Sequence, residues 1–438
     1  LNELQPEPEP SPTDSAATTP CSPPASPERL DRGVEPVHDF AVKLQQPSLW
    51  PQVRAYIQHE RARRAAVAAG QPEPGLPDLA PLSINLDLTT ACNYACDHCI
   101  DWDILNSKAR HDDEVLRAAV QRMAARGLRS VILIGGGEPT LYPGFVPFVA
   151  FCKQLALQVA VVSNGSRNDR ILQAAEYFTA GDWVRLSLDA GSDAVWRAMH
   201  KPSNAKLTLD EICSFVPRIK AKNPALQVGF SFVITWRGGS RGDVKVVENL
   251  HEMAAAAVRA EAAAFDYISY KPFLERQADG AEVLDANKTE QALAEVLERI
   301  QAGLAQAREQ TRRRPGFRVL ASTNLRVLMA GTHEQYMRQP RTCHMQMLRQ
   351  VVTPLGTFNC PAHRGVPKAR LGDHDLWAVP AAGQHATQGV LARFDASVEC
   401  QKVTCLYHGA NWWIEELVGD PAEPPVAAPA AERRDWFL

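Results

Sequence analysis

The chain has 438 residues, with 47 Lys+Arg against 50 Asp+Glu and a formal net charge of −3. Its length sets an expectation of about two to three domains, and the balanced charge lacks the basic excess of a nucleic-acid binder, so nucleic acid is not an expected partner. The most apolar long stretch, 146–163, is broken by Lys153, Gln154 and Gln158, so no membrane span is expected.

Residues 1–35 are rich in Pro, Ser, Thr and Glu, cannot offset their ordering entropy, and are expected to be disordered. They contain no apolar export signal, which points to a cytoplasmic protein. Residues 36–81 read as helix in two pieces, with Pro47 and Pro51 at the break and Gly70 with a Pro-rich run at the end. From 82 to 320, short apolar runs at 83–88, 130–134, 158–163, 183–188, 227–234 and 265–270 alternate with amphipathic segments. Those segments predict helices at 111–126, 144–156, 168–179, 207–222 and 241–258, and a further helix at 288–313. Strands buried on both faces and separated by helices predict an α/β fold, a parallel sheet with helices outside. Six units fit a partial (β/α)6 barrel. Residues 321–415, with short strands as in 347–358, read as a small β-containing second domain. Residues 416–438 read as a Pro- and Ala-rich tail, and both ends are expected to be dispensable for chemistry.

The chain has ten cysteines. Cys92, Cys96 and Cys99 fall in the loop after the first strand, while Cys343, Cys360, Cys400 and Cys405 lie in the second domain. Cys21, in the tail, and Cys152 and Cys213, in predicted helices, stand apart. Grouped thiols without an export signal read as metal ligands rather than disulfides. Three cysteines so close cannot complete a structural zinc site, but they suit a cubane iron–sulfur cluster whose fourth iron is open. Gly136, Gly137 and Glu138 end the second strand. Backbone without Cβ atoms approaches a ligand closely, and a carbonyl or carboxylate there can hold an ammonium group.

Cys-x3-Cys-x2-Cys after strand one, with Gly-Gly-Glu-Pro after strand two, resembles the radical S-adenosylmethionine (radical SAM) superfamily over about residues 82–320. The resemblance implies that Cys92, Cys96 and Cys99 hold a [4Fe–4S] cluster whose open iron takes the amine and carboxylate of SAM. It implies cofactor contacts for Gly136, Gly137 and Glu138, and for Asn164 and Ser187 at the ends of strands three and four. His98 stands before the third cysteine, where the family more often has an aromatic residue on the adenine side. Strand five, 228–233, departs from the family pattern, so no adenine contact is carried over there. Asp189 reads either as a substrate contact or as a helix cap. All these groups fall at C-terminal strand ends, where such folds build their sites. Trp236, Arg237, Tyr267, Tyr270 and Lys271 are substrate-side candidates by the same argument, with plain packing as the alternative for each.

The second group, C-x12-G-x3-C, a long gap and C-x4-C, resembles the twitch domain, a short relative of the SPASM domain. That implies one auxiliary [4Fe–4S] cluster on Cys343, Cys360, Cys400 and Cys405; spacing alone leaves a four-cysteine zinc site open. The activity implied is reductive cleavage of SAM to a 5′-deoxyadenosyl radical that abstracts hydrogen from a substrate, with a flavodoxin- or ferredoxin-type one-electron donor. Residues 36–81 look too short and too helical for a peptide-recognition domain. This favours a small-molecule substrate, such as a sugar or natural-product intermediate, undergoing oxidation, epimerisation or elimination. A maturase of a ribosomal peptide is the alternative, and a non-catalytic iron–sulfur or zinc redox sensor is the alternative from another class.

Overall fold

The computed structural model describes residues 39–276, 281–285 and 288–438; the expectations for the 1–35 tail and for Cys21 lie outside them. Strands β1 (Ser83–Leu86), β2 (Ser130–Leu133), β3 (Gln158–Ser163), β4 (Trp183–Ser187), β5 (Gln227–Ile234) and β6 (Tyr267–Pro272) form close to where the apolar runs predict them. They pair in sequence order, all parallel, and an unanticipated strand β7 (Arg318–Ala321) adds parallel to β6. Alternate residues divide the sheet. Leu86, Leu133, Val161, Leu186 and Phe230 point outward into the main core beneath the helices, while Asn85, Ile132, Arg185, Tyr267 and Ser269 line an interior lumen.

The sheet does not stop at β1. Strand β8 (Arg349–Thr353) pairs parallel with the free side of β1, and β9 (Gly356–Phe358) and β10 (Arg370–Gly372) follow antiparallel. The result is an open ten-stranded sheet with mostly parallel strands. The region carrying the second cysteine group is thus hydrogen-bonded directly to the strand that leads into the first.

The N-terminal helices are α1 (Phe40–Leu44) and α2 (Trp50–Ala68), broken as the prolines predict, with Pro51 in the first turn of α2. The outer layer includes α3 (Asp113–Ala125), α4 (Phe145–Gln154), α5 (Asn168–Ala174), α6 (Asp193–His200), α7 (Leu209–Lys222), α8 (Met253–Ala262) and α9 (Leu293–Gln310). Helix α6 was not anticipated. The expected helix over 241–258 starts late, because a short hairpin, Ser240–Arg241 with Val244–Lys245, occupies its beginning. Gly242 sits in that turn at φ +54°, a conformation that suits glycine.

The reading of 416–438 as a loose tail is corrected. Helix α10 (His408–Gly419) packs on α2. Beyond it, Pro425 accepts a hydrogen bond from the Trp50 indole at 3.0 Å, and Gln46 receives the Arg433 amide at 2.9 Å. The last residues enter the base of the lumen: Phe437 packs with Ile132 and Ala160, and Leu438 is buried. Buried Lys43 donates to the Phe437 carbonyl at 2.7 Å and pairs with Asp435 at 2.9 Å. Composition was misleading here because three apolar residues follow a run of Pro and Ala. Among the described residues no helix is long and apolar enough to cross a membrane.

Candidate active site at the strand mouths

The cysteine loop leaves β1 and is strapped down from two sides. Asn106 accepts the Cys92 amide at 2.9 Å, and the Ala95 and Asp97 amides donate to the carbonyls of His200 and Met199 at the end of α6, at 3.2 and 3.1 Å. The Cys99 amide closes a turn onto the Cys96 carbonyl at 3.3 Å. Burial pushes all three thiols up, Cys99 to about 12, and Cys96 is raised further by repulsion from Cys99 and Cys92. Thiols that oppose one another's ionisation in a buried site need a positive centre among them to become thiolates.

Across the mouth, Glu138 is fully buried and its carboxylate is committed to neighbours. Oε1 accepts from the Thr140 amide at 3.0 Å, the Thr140 hydroxyl at 2.5 Å and the Ser163 hydroxyl at 2.8 Å; Oε2 accepts the Asn164 amide at 2.6 Å. The expected carboxylate contact to an ammonium is therefore redirected: Glu138 fixes the end of β3, and the backbone carbonyls of the glycine turn remain for a ligand. Gly137 tolerates no Cβ, which would sit 2.5 Å from the Ala91 carbonyl oxygen. The Asn164 side chain donates to Asn93 in the cysteine loop at 3.0 Å, which ties β3 to the thiols. Ser187 ends β4 on the lumen side, two residues beyond Arg185.

Asp189 neither caps a helix nor stands free. Ser192 caps α6, while Asp189, at φ +56°, accepts from the Val233 amide at 2.6 Å and contacts His98 Nε2 at 3.0 Å and His200 Nε2 at 3.2 Å. Burial opposes its ionisation, but the hydrogen bonds from His200 and His98 outweigh that and hold the carboxyl below its usual range. His98 is thereby held at the mouth, with Nδ1 unpartnered and buried. His200 turns its other nitrogen to the Cys96 sulfur at 3.2 Å.

A second set of groups at the mouth was invisible in the sequence. Arg364, four residues past Cys360, reaches Asp101 at 2.7 Å and Asp87 at 3.3 Å. Asp101 also accepts the Gly136 amide at 3.2 Å, so this ion pair touches the glycine turn. Arg276 lies 3.7 Å from Asp101. Burial raises the Asp87 carboxyl, and the Arg364 guanidinium opposes that rise.

Of the substrate-side candidates, the structure brings only Tyr267 and Lys271 to the lumen face of β6. Tyr270 faces outward and donates to the Met253 carbonyl at 2.6 Å, Trp236 is buried with its indole on the Lys288 carbonyl at 3.0 Å, and exposed Arg237 lies 3.6 Å from Glu248.

Cys343, Cys360, Cys400 and Cys405 line one end of the same cavity as Arg185 and Tyr267. Burial raises each thiol, Cys360 to about 12, and Cys400 is raised further by Cys343, Cys405 and Cys360, so the four converge. Apolar walls from Val403, Phe394 and Tyr407 surround them. Zn–S bonds of about 2.3 Å in a tetrahedron set sulfurs about 3.8 Å apart. Among the described residues, the one group of three such ligand atoms within 4.8 Å of one another is His98, Asp189 and His200. His344, beside Cys343, is taken up by Tyr56 at 2.8 Å and Glu415 at 2.9 Å. His408 is held at 3.2 Å by the Gln339 side chain.

Residues 86–250 match the model of the Radical SAM superfamily. The chain is 26% identical over 160 residues to an S-adenosylmethionine-dependent nucleotide dehydratase of Selenomonas ruminantium, covering 35% of this chain and 56% of that protein. It is 29% identical over 158 residues to the mycofactocin maturase MftC of Mycolicibacterium smegmatis, covering 32% of this chain and 38% of the relative. The chain thus spans little more than half, or less, of the length of these curated relatives. Among solved structures, Streptococcus suis SuiB bound to the precursor peptide SuiA superposes with a TM-score of 0.50 at 12% identity, covering 82% of this chain and 76% of that one, a likeness of fold. Residues 86–250, which carry the mouth of this sheet, are therefore similar to the radical SAM domain, a family that uses a [4Fe–4S] cluster and S-adenosylmethionine.

Proposed function

We propose that the chain is a radical SAM enzyme acting on a small molecule, with Cys92, Cys96 and Cys99 as ligands of the SAM-binding cluster and Cys343, Cys360, Cys400 and Cys405 as ligands of an auxiliary [4Fe–4S] cluster. When bound, the first cluster and SAM supply reductive cleavage to a 5′-deoxyadenosyl radical, which abstracts hydrogen from the substrate. The observation that carries the reading is the convergence of the three thiols, the Gly136–Gly137 turn and Asn164 on one mouth.

The chain's own residues hold and orient. The carbonyls of Gly136 and Gly137 would receive the ammonium of SAM; Glu138 keeps β3 at the correct distance through its four accepted hydrogen bonds. Asn164 and Ser187 offer polar contacts to ribose and carboxylate, and Asp189 fixes His98 at the mouth. The cavity, about 340 Å³ and closed at its base by Phe437, suits a small molecule. Relatives named as maturases keep a peptide substrate as the second reading. A ferredoxin- or flavodoxin-type donor would supply the electron.

Anaerobic reconstitution followed by iron counting and dithionite reduction with SAM tests the reading. About eight irons per chain and release of 5′-deoxyadenosine are expected. A folded, iron-loaded protein that neither binds SAM nor releases 5′-deoxyadenosine overturns it in favour of a redox sensor.

A further inference from the structure

Two cations on the lumen face of the sheet form no ion pair among the described residues. Arg185 on β4 lines the cavity, whose wall also carries Glu282, Arg318 and Arg349, and Lys271 lies on the same face of β6 as Tyr267 and Ser269, nearer the mouth. Arg185 rests over the Trp183 ring, 5.4 Å from its centroid, and its Nε is buried without a hydrogen-bond partner. Among the described residues no carboxylate lies within 4 Å of either cation. Two acids face this region. Asp189 is committed to His98, His200 and the Val233 amide. Glu282 also faces Arg276, Arg364 and Asp101. The two cations enter from different depths: Lys271 pairs in register with Val233, four residues nearer the mouth than the level of Arg185. Arg185 pairs in register with Gly229, and Gly229 with Tyr267. A side chain at Gly229 would collide with the Tyr267 ring, so glycine there lets that ring lie across β5 toward Arg185.

Enclosed cations without an ion-pair partner are unfavourable unless something negative arrives. A guanidinium offers a planar fork that matches phosphate or carboxylate, and an ammonium adds a point charge. Arg185 lies two residues before Ser187 on the same face, roughly 7 Å deeper along the strand.

We propose that Arg185 and Lys271 form an anion subsite in the lumen, and that the substrate carries a phosphate or carboxylate that docks there while its reacting carbon reaches up to the strand mouths. This rests on the small-molecule reading above and sharpens it to an anionic substrate. Tyr267 and Ser269 line the same wall and supply hydroxyl donors.

The test is isothermal titration of the full, cluster-loaded chain with SAM present, using inorganic pyrophosphate in one arm and succinate in the other. Binding of at least one anion to the wild type is expected, with Kd at least tenfold weaker in Arg185→Met and in Lys271→Met and unchanged in Arg218→Met on the outer helix α7. Pyrophosphate alone would identify a phosphorylated substrate, and succinate alone a carboxylate. Failure of both to bind the wild type, or equal affinity in the lumen variants, overturns the proposal. Arg185→Met should melt no lower than wild type in anion-free buffer, because it removes an unpaired enclosed charge; a clear fall would mark a structural partner and also overturn it. Release of 5′-deoxyadenosine without substrate is measured on the same wild-type sample. It reads the parent assignment separately, so anion binding can fail while that assignment stands, and the reverse.

Discussion

Cys92, Cys96 and Cys99 sit on a single loop, strapped to α6 and to Asn106, and face polar groups from β2 and β3. Cys343, Cys360, Cys400 and Cys405 come from separate turns and converge among apolar side chains. The first arrangement provides three ligands and a polar side where a small molecule can enter. The second provides four, which open onto the cavity shared with Arg185 and Tyr267. Thiol count is what distinguishes the two: three thiols leave one position of a cubane cluster for an outside ligand, and four would fill every position.

The comparison breaks most visibly with the ligands themselves. Cys92→Ala should take 5′-deoxyadenosine release to background, whereas Cys405→Ala should keep release; each should lose about four of about eight irons. Iron counting and chromatography after dithionite reduction check this, and loss of release in both variants would erase the distinction. The next effect sharpens how the two regions are joined. Arg364→Met leaves Asp87 buried without a cation and Asp101 with only Arg276 at 3.7 Å, and should cost about 3–5 kcal/mol in a urea melt, partly recovered by adding Asp87→Asn. Phe437→Ala opens the base of the lumen and should cost about 3 kcal/mol while leaving the iron content intact. The smallest effect tests Glu138. Glu138→Gln keeps the size but replaces an acceptor oxygen with a donor, and should cost about 1–2 kcal/mol. It should also weaken SAM binding severalfold by titration calorimetry, since a displaced β3 end moves Asn164.

Strands β1, β2, β3 and β5 were readable because nearly all their residues are buried, while β4 and β6 showed through the apolar residues of their outward face. The cysteine loop and the glycine turn were readable because their chemistry lies within a few neighbouring residues. Helix α6 has only 8 residues, between the Gly191 turn and Lys201 at φ +46°, so its periodicity is too short to stand out. Its cost to the site reading was His200, whose contact with Cys96 spans 104 residues. Arg364 was hidden for the same reason at larger scale: its partner Asp101 is 263 positions away, and nothing local distinguishes it from other arginines. The role expected for Glu138 was refined because acceptor capacity is spent by neighbours that only the folded chain brings together. Tyr270 and Lys271 are adjacent in sequence yet face opposite sides of β6, a distinction that depends on register.

The pairing of β8 with β1 also bears on how the molecule can be cut. A chain ending near residue 320 would retain Cys92, Cys96, Cys99 and the glycine turn but lose Arg364, and it would strip β1 of its partner along Ser83–Leu86 and leave that backbone as a raw edge. Unpaired edges of flat, apolar strands recruit other chains. Such a fragment is expected to form sheet-to-sheet oligomers and to precipitate on expression, so the minimal soluble unit includes β8 and the hairpin that covers it.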